Sequence, residues 1–357
     1  MTKTNPTWTW AAPAVAIAVL SMAVWLPHPA IRVLAGGVLM VAVFSAVHHA
    51  EVIAHRIGEP FGTLVLAVAV TVIEVALIVS LMMAAGAGKP ELARDTVFAA
   101  VMIAANGIVG LCLLAGGVRH HEQGFQVRGA SAALAVLCAL SVMTMVMPNH
   151  LVATPGPTLA RSQLVFVGVM SLVLYLTFVF VQTVRHRDYF LVEGAVGGEE
   201  HAPPPSTGAS LASLGLLLVA LVAVVGLAKV LSPDIERAVA AAGAPVAVVG
   251  IVISMVVLLP ESVAALRAAR KNQLQNSLNL ALGSSLASIG LTIPAIAAVS
   301  IGFGKPISLG ISAKDTVLLA LTMIVSVITL GTGRTTVLQG MVHLTILAAY
   351  LFLAVVP

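Results

Sequence analysis

Apolar runs of about twenty residues recur from one end of this 357-residue chain to the other, and that recurrence limits the fold more than any other feature. About twenty apolar residues make a helix long enough to cross the hydrocarbon of a bilayer. Charged residues amount to only 9% of the chain against 59% hydrophobic, where a soluble domain carries roughly a quarter charged. No water-soluble domain fits between the runs. The net charge of +4 comes from scattered Lys and Arg rather than a basic patch, so nucleic acid is not an expected partner. Cys112 and Cys138 sit inside apolar runs without metal-type spacing and read as small core residues.

Charged residues, Gly and Pro punctuate the runs at about 11–26, 32–57, 62–85, 95–117, 128–147, 162–184, 210–231, 239–266, 276–301, 312–331 and 335–356. Period-2 alternation is nearly absent, which excludes a β-barrel. In lipid the remaining solution is the helix, which satisfies its own backbone. The expected fold is an all-α polytopic membrane protein of about eleven transmembrane helices. The first run has only Lys3 ahead of it and no small-x-small site before Pro27, so it is read as a span rather than a signal peptide.

Residues 185–209, RHRDYFLVEGAVGGEEHAPPPSTGA, have the glycines, proline run and acidic residues of a flexible linker. They divide the chain into an extra N-terminal helix (1–30), a five-helix unit (31–184) and a second five-helix unit (210–357). An odd number of spans per unit inserts the second unit upside down, the inverted-repeat plan of many secondary transporters. Ten of the eighteen basic residues fall on the side of the N-terminus. That excess places the N-terminus in the cytoplasm of an inner-membrane protein.

Two carboxylates interrupt otherwise uncharged runs. Glu74 lies halfway along LAVAVTVIEVALIVSLMM, and Glu261 lies within VVGIVISMVVLLPESVAAL. A carboxylate near the bilayer centre costs at least ~2.5 kcal/mol and is usually functional. The blander reading is a carboxylate hydrogen-bonded to a neighbouring helix. Pro260 precedes Glu261 and takes a backbone partner from the carbonyl of Val256; either a plain kink or a broken helix beside a cation site follows. Thr71 offers a hydroxyl one turn before Glu74. Downstream, Gly283, Ser284, Ser285 and Ser288 supply small residues and hydroxyls in the second half, and Asn106 stands near the matching place in the first. Small residues also serve plain helix packing.

His48, Glu51 and His55 fall at i, i+3 and i+7, one helical stripe. Three readings stand for it: a transition-metal site, a proton-entry path, or interfacial residues without a role. Glu59, beside Pro60 and Gly62, reads as a helix-start turn or part of that path.

GEPFGTLVLAVAVTVIE resembles the first alpha-repeat of the calcium/cation antiporter superfamily, cation/proton exchanger branch, whose pattern runs G-E-x-x-G-G-L-L-N-A-T-F-G-N-A-x-E. Gly58, Glu59, Gly62, Leu64, Ala67 and Glu74 match without a gap, and Glu51 falls on an acidic position one helix earlier. PESVAALRAARKNQLQNSLNLALGSSLASIGLTIP resembles the second repeat through Glu261, Lys271-Asn272 and Gly283-Ser284-Ser285. Tyr175–His186 and GRTTVLQG (Gly333–Gly340) are similar to two further family segments. The subgroup most resembled is the bacterial Cha-type sodium/calcium–proton antiporters. The chain departs from the pattern at Thr71 and Leu258 (Asn in the family), Ser262 (His), Ala287 (Gln) and Gln339 (Glu). Calcium takes about six to eight oxygens, so fewer donors point toward sodium or potassium as well.

The resemblance implies a secondary cation/proton antiporter, not an enzyme, exchanging Ca2+ and/or Na+, with K+ a further candidate, for H+. Glu74 and Glu261 are the expected metal ligands, with Thr71, Ser284 and Ser285 as neutral donors, Glu51 as a secondary site, and His48, His55 and Glu59 as a candidate proton path. No resident cofactor is expected; the ions and the bilayer are the partners. A cation channel and a transition-metal/proton exchanger are the alternatives. Two ionised carboxylates cannot share a dry midplane without a partner, and a cation or protons neutralise them in competition.

Overall fold

The computed structural model describes residues 6–26, 28–58, 61–84, 91–191, 204–304 and 307–356, with backbone alone at 63 and 80–84. Their helices are α1 (Thr7–Trp25), α2 (Pro29–Ile57), α3 (Phe61–Ala84), α4 (Leu92–His120), α5 (Val127–His150), α6 (Arg161–Arg185), α7 (Thr207–Ala241), α8 (Ala247–Arg270), α9 (Leu274–Phe303), α10 (Ala313–Leu330) and α11 (Val337–Val355). All except α3 are long and apolar enough to span a bilayer, and α3 contributes the shorter apolar stretch Leu64–Val79. The chain is therefore a multi-pass membrane protein. Among the described residues the strands are β1 (Gln123–Gly124) and β2 (Arg334–Thr335), an antiparallel pair joining two loops.

The helices follow the apolar runs with one clear difference. A span over 210–231 was expected to end before the next began at 239. Instead α7 continues to Ala241, through Pro233 and past the charged Asp234, Glu236 and Arg237. Its extension is anchored from α2, where Arg32 pairs with Asp234 at 3.0 Å and also donates to the Val230 carbonyl. Of the linker, residues 192–203 lie outside the described residues; Arg187–Phe190 before them form a 3-10 turn.

The chain forms two compact units, one of residues 1–86 with 200–242 and the other of residues 87–199 with 243–357. In the first, α1, α2, α3 and α7 pack on one another. His49, fully buried on α2, joins three of them. Its Nε2 stands 3.0 Å from the Thr9 carbonyl of α1 and its Nδ1 3.2 Å from the Ser213 hydroxyl of α7. The carbonyl requires the ring N–H on Nε2, so Ser213 donates to Nδ1. Ser45 donates to the same carbonyl. The turn from α2 to α3 is tight: Gly58 has φ +75, and a Cβ on Gly62 would lie 2.5 Å from the Ala54 carbonyl oxygen.

In the second unit α4, which is 89% buried over its most apolar stretch, is the central helix and touches α8, α9 and α11. It contains a π-helical segment, Ile103–Ile108. Its neighbours approach through glycines. A Cβ on Gly340 of α11 would meet the Leu114 amide of α4 at 2.5 Å, and one on Gly290 of α9 would meet Tyr175 of α6 at 2.5 Å. Small residues allow this backbone approach in lipid, where apolar burial does not drive helices together. The motif residues at the helix ends are likewise structural. Asn272 takes φ +60 between α8 and α9, and its side-chain oxygen accepts from Gln123 at 2.9 Å.

Gln339 was expected to mark a lost carboxylate donor. It instead closes the start of α11, its Oε1 accepting from the Thr336 amide at 2.9 Å and the Thr336 hydroxyl at 2.7 Å. Replacing it by alanine removes this cap, a loss of about 1 kcal/mol. Gln339→Ala should lower the thermal midpoint by about 2–4 °C and leave ion flux unchanged, measured on purified protein and in proteoliposomes side by side.

Candidate functional site

In the first unit the candidate residues lie on α2 and α3. Glu74 has a side chain only 3% exposed, and Thr71, at 7%, precedes it by three residues. Residues three apart in a helix share a face, so the carboxylate and the hydroxyl belong to one side of α3. Their helix carries no other charge over its described length.

The stripe on α2 has a different standing. Glu51 and His55 are exposed and His48 is half-buried, while the adjacent His49 is the buried ring. His48 touches His49 edge-on at 5.6 Å between ring centres. Among the described residues no three His, Cys, Asp or Glu side chains converge as a metal ion would require, so the transition-metal reading of the stripe finds no cluster behind it. Glu59 lies outside the described residues. Sequence spacing selects the stripe but not the buried face, and it passes over His49.

In the second unit Glu261, half-buried, projects from α8 beside Pro260. The broken helix considered from the sequence is not observed: α8 runs without interruption from Ala247 to Arg270 with Pro260 inside it. Proline still lacks the N–H that would reach Val256, and the local polar balance is adjusted by Ser262, whose hydroxyl donates to the Leu258 carbonyl at 2.6 Å. Ser262 is thus occupied within its own helix. On the adjacent α9, Ser285 is buried and donates to the Ala281 carbonyl at 3.2 Å, and Ser284 is half-buried. α8 and α9 pack as an antiparallel pair through Ser277, which donates to the Ala265 carbonyl at 2.7 Å. Glu261 lies four residues before Ala265 on α8, and Ser284 lies seven residues beyond Ser277 on α9.

Thr71 and Glu74 thus share one face of α3, and in the other unit Glu261 lies on α8 while Ser284 and Ser285 lie on the helix packed against it, α9. Each set combines a carboxylate with hydroxyl oxygens, which are hard ligands suited to Na+ or Ca2+ rather than to soft metals.

Asn106, noted in the sequence, has a buried partner that was not anticipated, His343. Asn106, in the π-helical segment of α4, donates to the Thr322 hydroxyl of α10 at 2.9 Å, and its carbonyl stands 3.2 Å from Nδ1 of His343 on α11. Nε2 of His343 lies 2.9 Å from the Thr329 hydroxyl. Asn106 and His343 are both fully buried. A lone Asn and a lone His inside apolar runs were the signal available for them.

The comparisons with known proteins agree with this architecture. The chain is 51% identical to a Sinorhizobium fredii protein named as an ionic transporter, over 99% of this chain and 97% of that one. It is 35% identical to the sodium-potassium/proton antiporter ChaA of Escherichia coli, over 90% of this chain and 88% of that one. The solved structure of native YfkE superposes with a TM-score of 0.73 at 16% identity, covering 98% of this chain and all of that one; that likeness speaks for the fold alone. The model of the sodium/calcium exchanger protein family matches residues 28–184 and 212–356. Those two stretches hold the helices from α2 to α11 apart from the last residue of α6 and the first five of α7, with Glu74 in the first and Glu261 in the second, and the chain belongs to the sodium/calcium exchanger protein family.

Proposed function

We propose that the protein is a secondary antiporter that exchanges Na+, K+ or Ca2+ for protons, with Glu74 and Glu261 as its carboxylate ligands. The observation that carries this reading is Glu74, buried at midspan in a helix with no other described charge. Such a residue is expensive in a bilayer unless a transported ion uses it. Cation and proton compete for the carboxylates, and exchange follows when only a neutralised site changes its access. Thr71, Ser284 and Ser285 add neutral oxygens. Glu51 is assigned as a secondary proton or cation site, and His48, His55 and Glu59 as a candidate proton path. The relative named above as a sodium-potassium/proton antiporter, 35% identical, supports the reaction class and more than one cation. The protein is assigned to the inner membrane; the excess of basic residues supports a cytoplasmic N-terminus, and the two five-helix repeats are inserted in opposite senses.

Purified protein in liposomes carrying an imposed proton gradient tests the reading. Uptake of Na+, K+ and Ca2+ is measured in turn. The expected result is uptake of more than one of them that collapses when a protonophore removes the gradient. Uptake that proceeds at the same rate without a gradient would make the protein a channel instead.

A further inference from the structure

The buried chain Thr322–Asn106–His343–Thr329 has a proton inventory that can be counted group by group. The Thr322 hydroxyl donates to the Leu318 carbonyl at 2.8 Å and accepts from the Asn106 amide nitrogen. With the Thr322 hydrogen on Leu318, the Asn106 amide nitrogen faces Thr322 and its carbonyl faces Nδ1 of His343 at 3.2 Å. An oxygen acceptor on this side places a hydrogen on Nδ1. On the other side, Nε2 faces the Thr329 hydroxyl at 2.9 Å, and that hydroxyl also lies 2.8 Å from the Val325 carbonyl.

A hydroxyl has one hydrogen to give. When Thr329 gives it to Nε2, the ring is neutral and the bond to Val325 is forgone. When Thr329 gives it to Val325, Nε2 must carry its own hydrogen, and the ring holds two. The states differ by one proton and one hydroxyl rotation, and neither leaves a ring nitrogen facing a group of the same kind. A charge buried in a membrane is costly; here the Asn106 carbonyl and the Thr329 oxygen are already aimed at it.

The depth of this chain in the second unit is informative. α4 and α8 lie side by side and parallel, joined at one end by Ser254 donating to the Thr96 carbonyl and at the other by Gln123 donating to the Ala269 carbonyl. Asn106 and Glu261 both fall between those ties. A π-helical turn, which is often placed at functional sites, carries Asn106 there. The titratable side chains on the elements packed round His343 are Cys112 on α4 and Glu261 on α8. Asp95, Lys314, Asp315 and Tyr350 lie two or more turns toward one end of the unit. Arg119, His120, Arg267, Arg270 and Arg334 lie toward the other.

We propose that His343 is a proton-binding site of the membrane interior, distinct from the two carboxylates, with Thr329 as the hydroxyl that turns between Nε2 and the Val325 carbonyl. The inference deepens the antiporter reading and rests on it for its role in transport, but the protonation itself is measured without transport.

The full chain labelled with 15N-histidine in nanodiscs is followed by nitrogen NMR as pH falls from about 8 to 4, the region in which imidazoles titrate. The resonances lost in His343→Gln identify the ring, and Thr329→Val, which must shift the same resonances, identifies it if the Gln variant fails to insert. The expected result is conversion from one protonated and one bare nitrogen to two protonated ones. A ring that stays neutral to the lowest pH at which the protein remains folded overturns the proposal. In liposomes, His343→Gln is expected to keep its rate at pH 8 within about threefold of wild type, and to change the ratio of rates at pH 6 and pH 8 by threefold or more. An unchanged ratio would make the chain a packing device only. A ring that titrates in a protein showing no proton-coupled flux would sink the antiporter reading and leave the proton site standing.

Discussion

Glu74→Gln and Glu261→Gln should each reduce cation-driven proton flux to about one hundredth of wild type or less, a loss of ~3 kcal/mol in the transport barrier. Glutamine keeps the size of the side chain and one carbonyl oxygen, so packing around the buried Glu74 side chain has little reason to change. What disappears is the negative charge for which cation and proton compete. The loss should therefore be in transport and not in folding, and the thermal midpoint of each variant should remain within a few degrees of wild type. Flux in proteoliposomes is read alongside the amount of protein reconstituted. If either variant, inserted and folded, exchanged the preferred cation at near-normal rate, that carboxylate would not be a ligand. The double variant should be no worse than either single one, because ligands of one transported ion act as a unit.

Much of the fold was legible because lipid leaves the backbone few choices. Every apolar run became a helix, including the first, and α6 ends at Arg185 and α7 begins at Thr207. The partners of each helix were not legible. α7 follows the linker yet packs with α1, α2 and α3, a set of contacts spanning up to some 200 residues, and its charged extension past Pro233 makes sense only once Arg32 is seen beside Asp234. Phase was the second difficulty. In a soluble helix polar residues mark the outer face, but in a membrane helix both faces are apolar, so the neighbouring His48 and His49 could not be ranked by pattern. The spacing of Glu51 and His55 selected His48, and the structure buries His49 instead. The Asn106–His343 pair was hidden for a further reason. Its members are 237 residues apart in sequence, and a π turn leaves no mark in a run as uniformly apolar as AAVMIAANGIVG. The carboxylates were found because charge, unlike shape, stands out in such a run.

Thr71→Asn should move preference toward Ca2+ by about tenfold relative to Na+, equivalent to ~1.4 kcal/mol. The family pattern that this chain resembles has Asn one turn before each repeat carboxylate, and here that place in α3 is taken by Thr71, 7% exposed and on the face of Glu74. A threonine presents one hydroxyl oxygen close to the backbone. An asparagine presents a carbonyl oxygen on a stem one bond longer, with a larger dipole and no hydrogen of its own to dispose of. Ca2+ gains most from an added oxygen, because it takes about six to eight ligands and carries twice the charge of Na+. Na+ gains less and meets a more crowded site. The second half supplies the control: Ser262, where the pattern has His, already gives its hydroxyl to the Leu258 carbonyl, so Ser262→Ala should leave the cation ratio within about twofold of wild type. Proton flux is measured in liposomes against graded Na+ and Ca2+ for wild type and both variants at pH 7 to 9. Should the Thr71→Asn ratio match wild type while Ser262→Ala shifts it, the residue beside Glu74 would not set selectivity and the second carboxylate's surroundings would. Should neither shift it, the choice of cation would lie with the carboxylates and the backbone oxygens of α8, whose Val256 carbonyl Pro260 leaves without its helical donor.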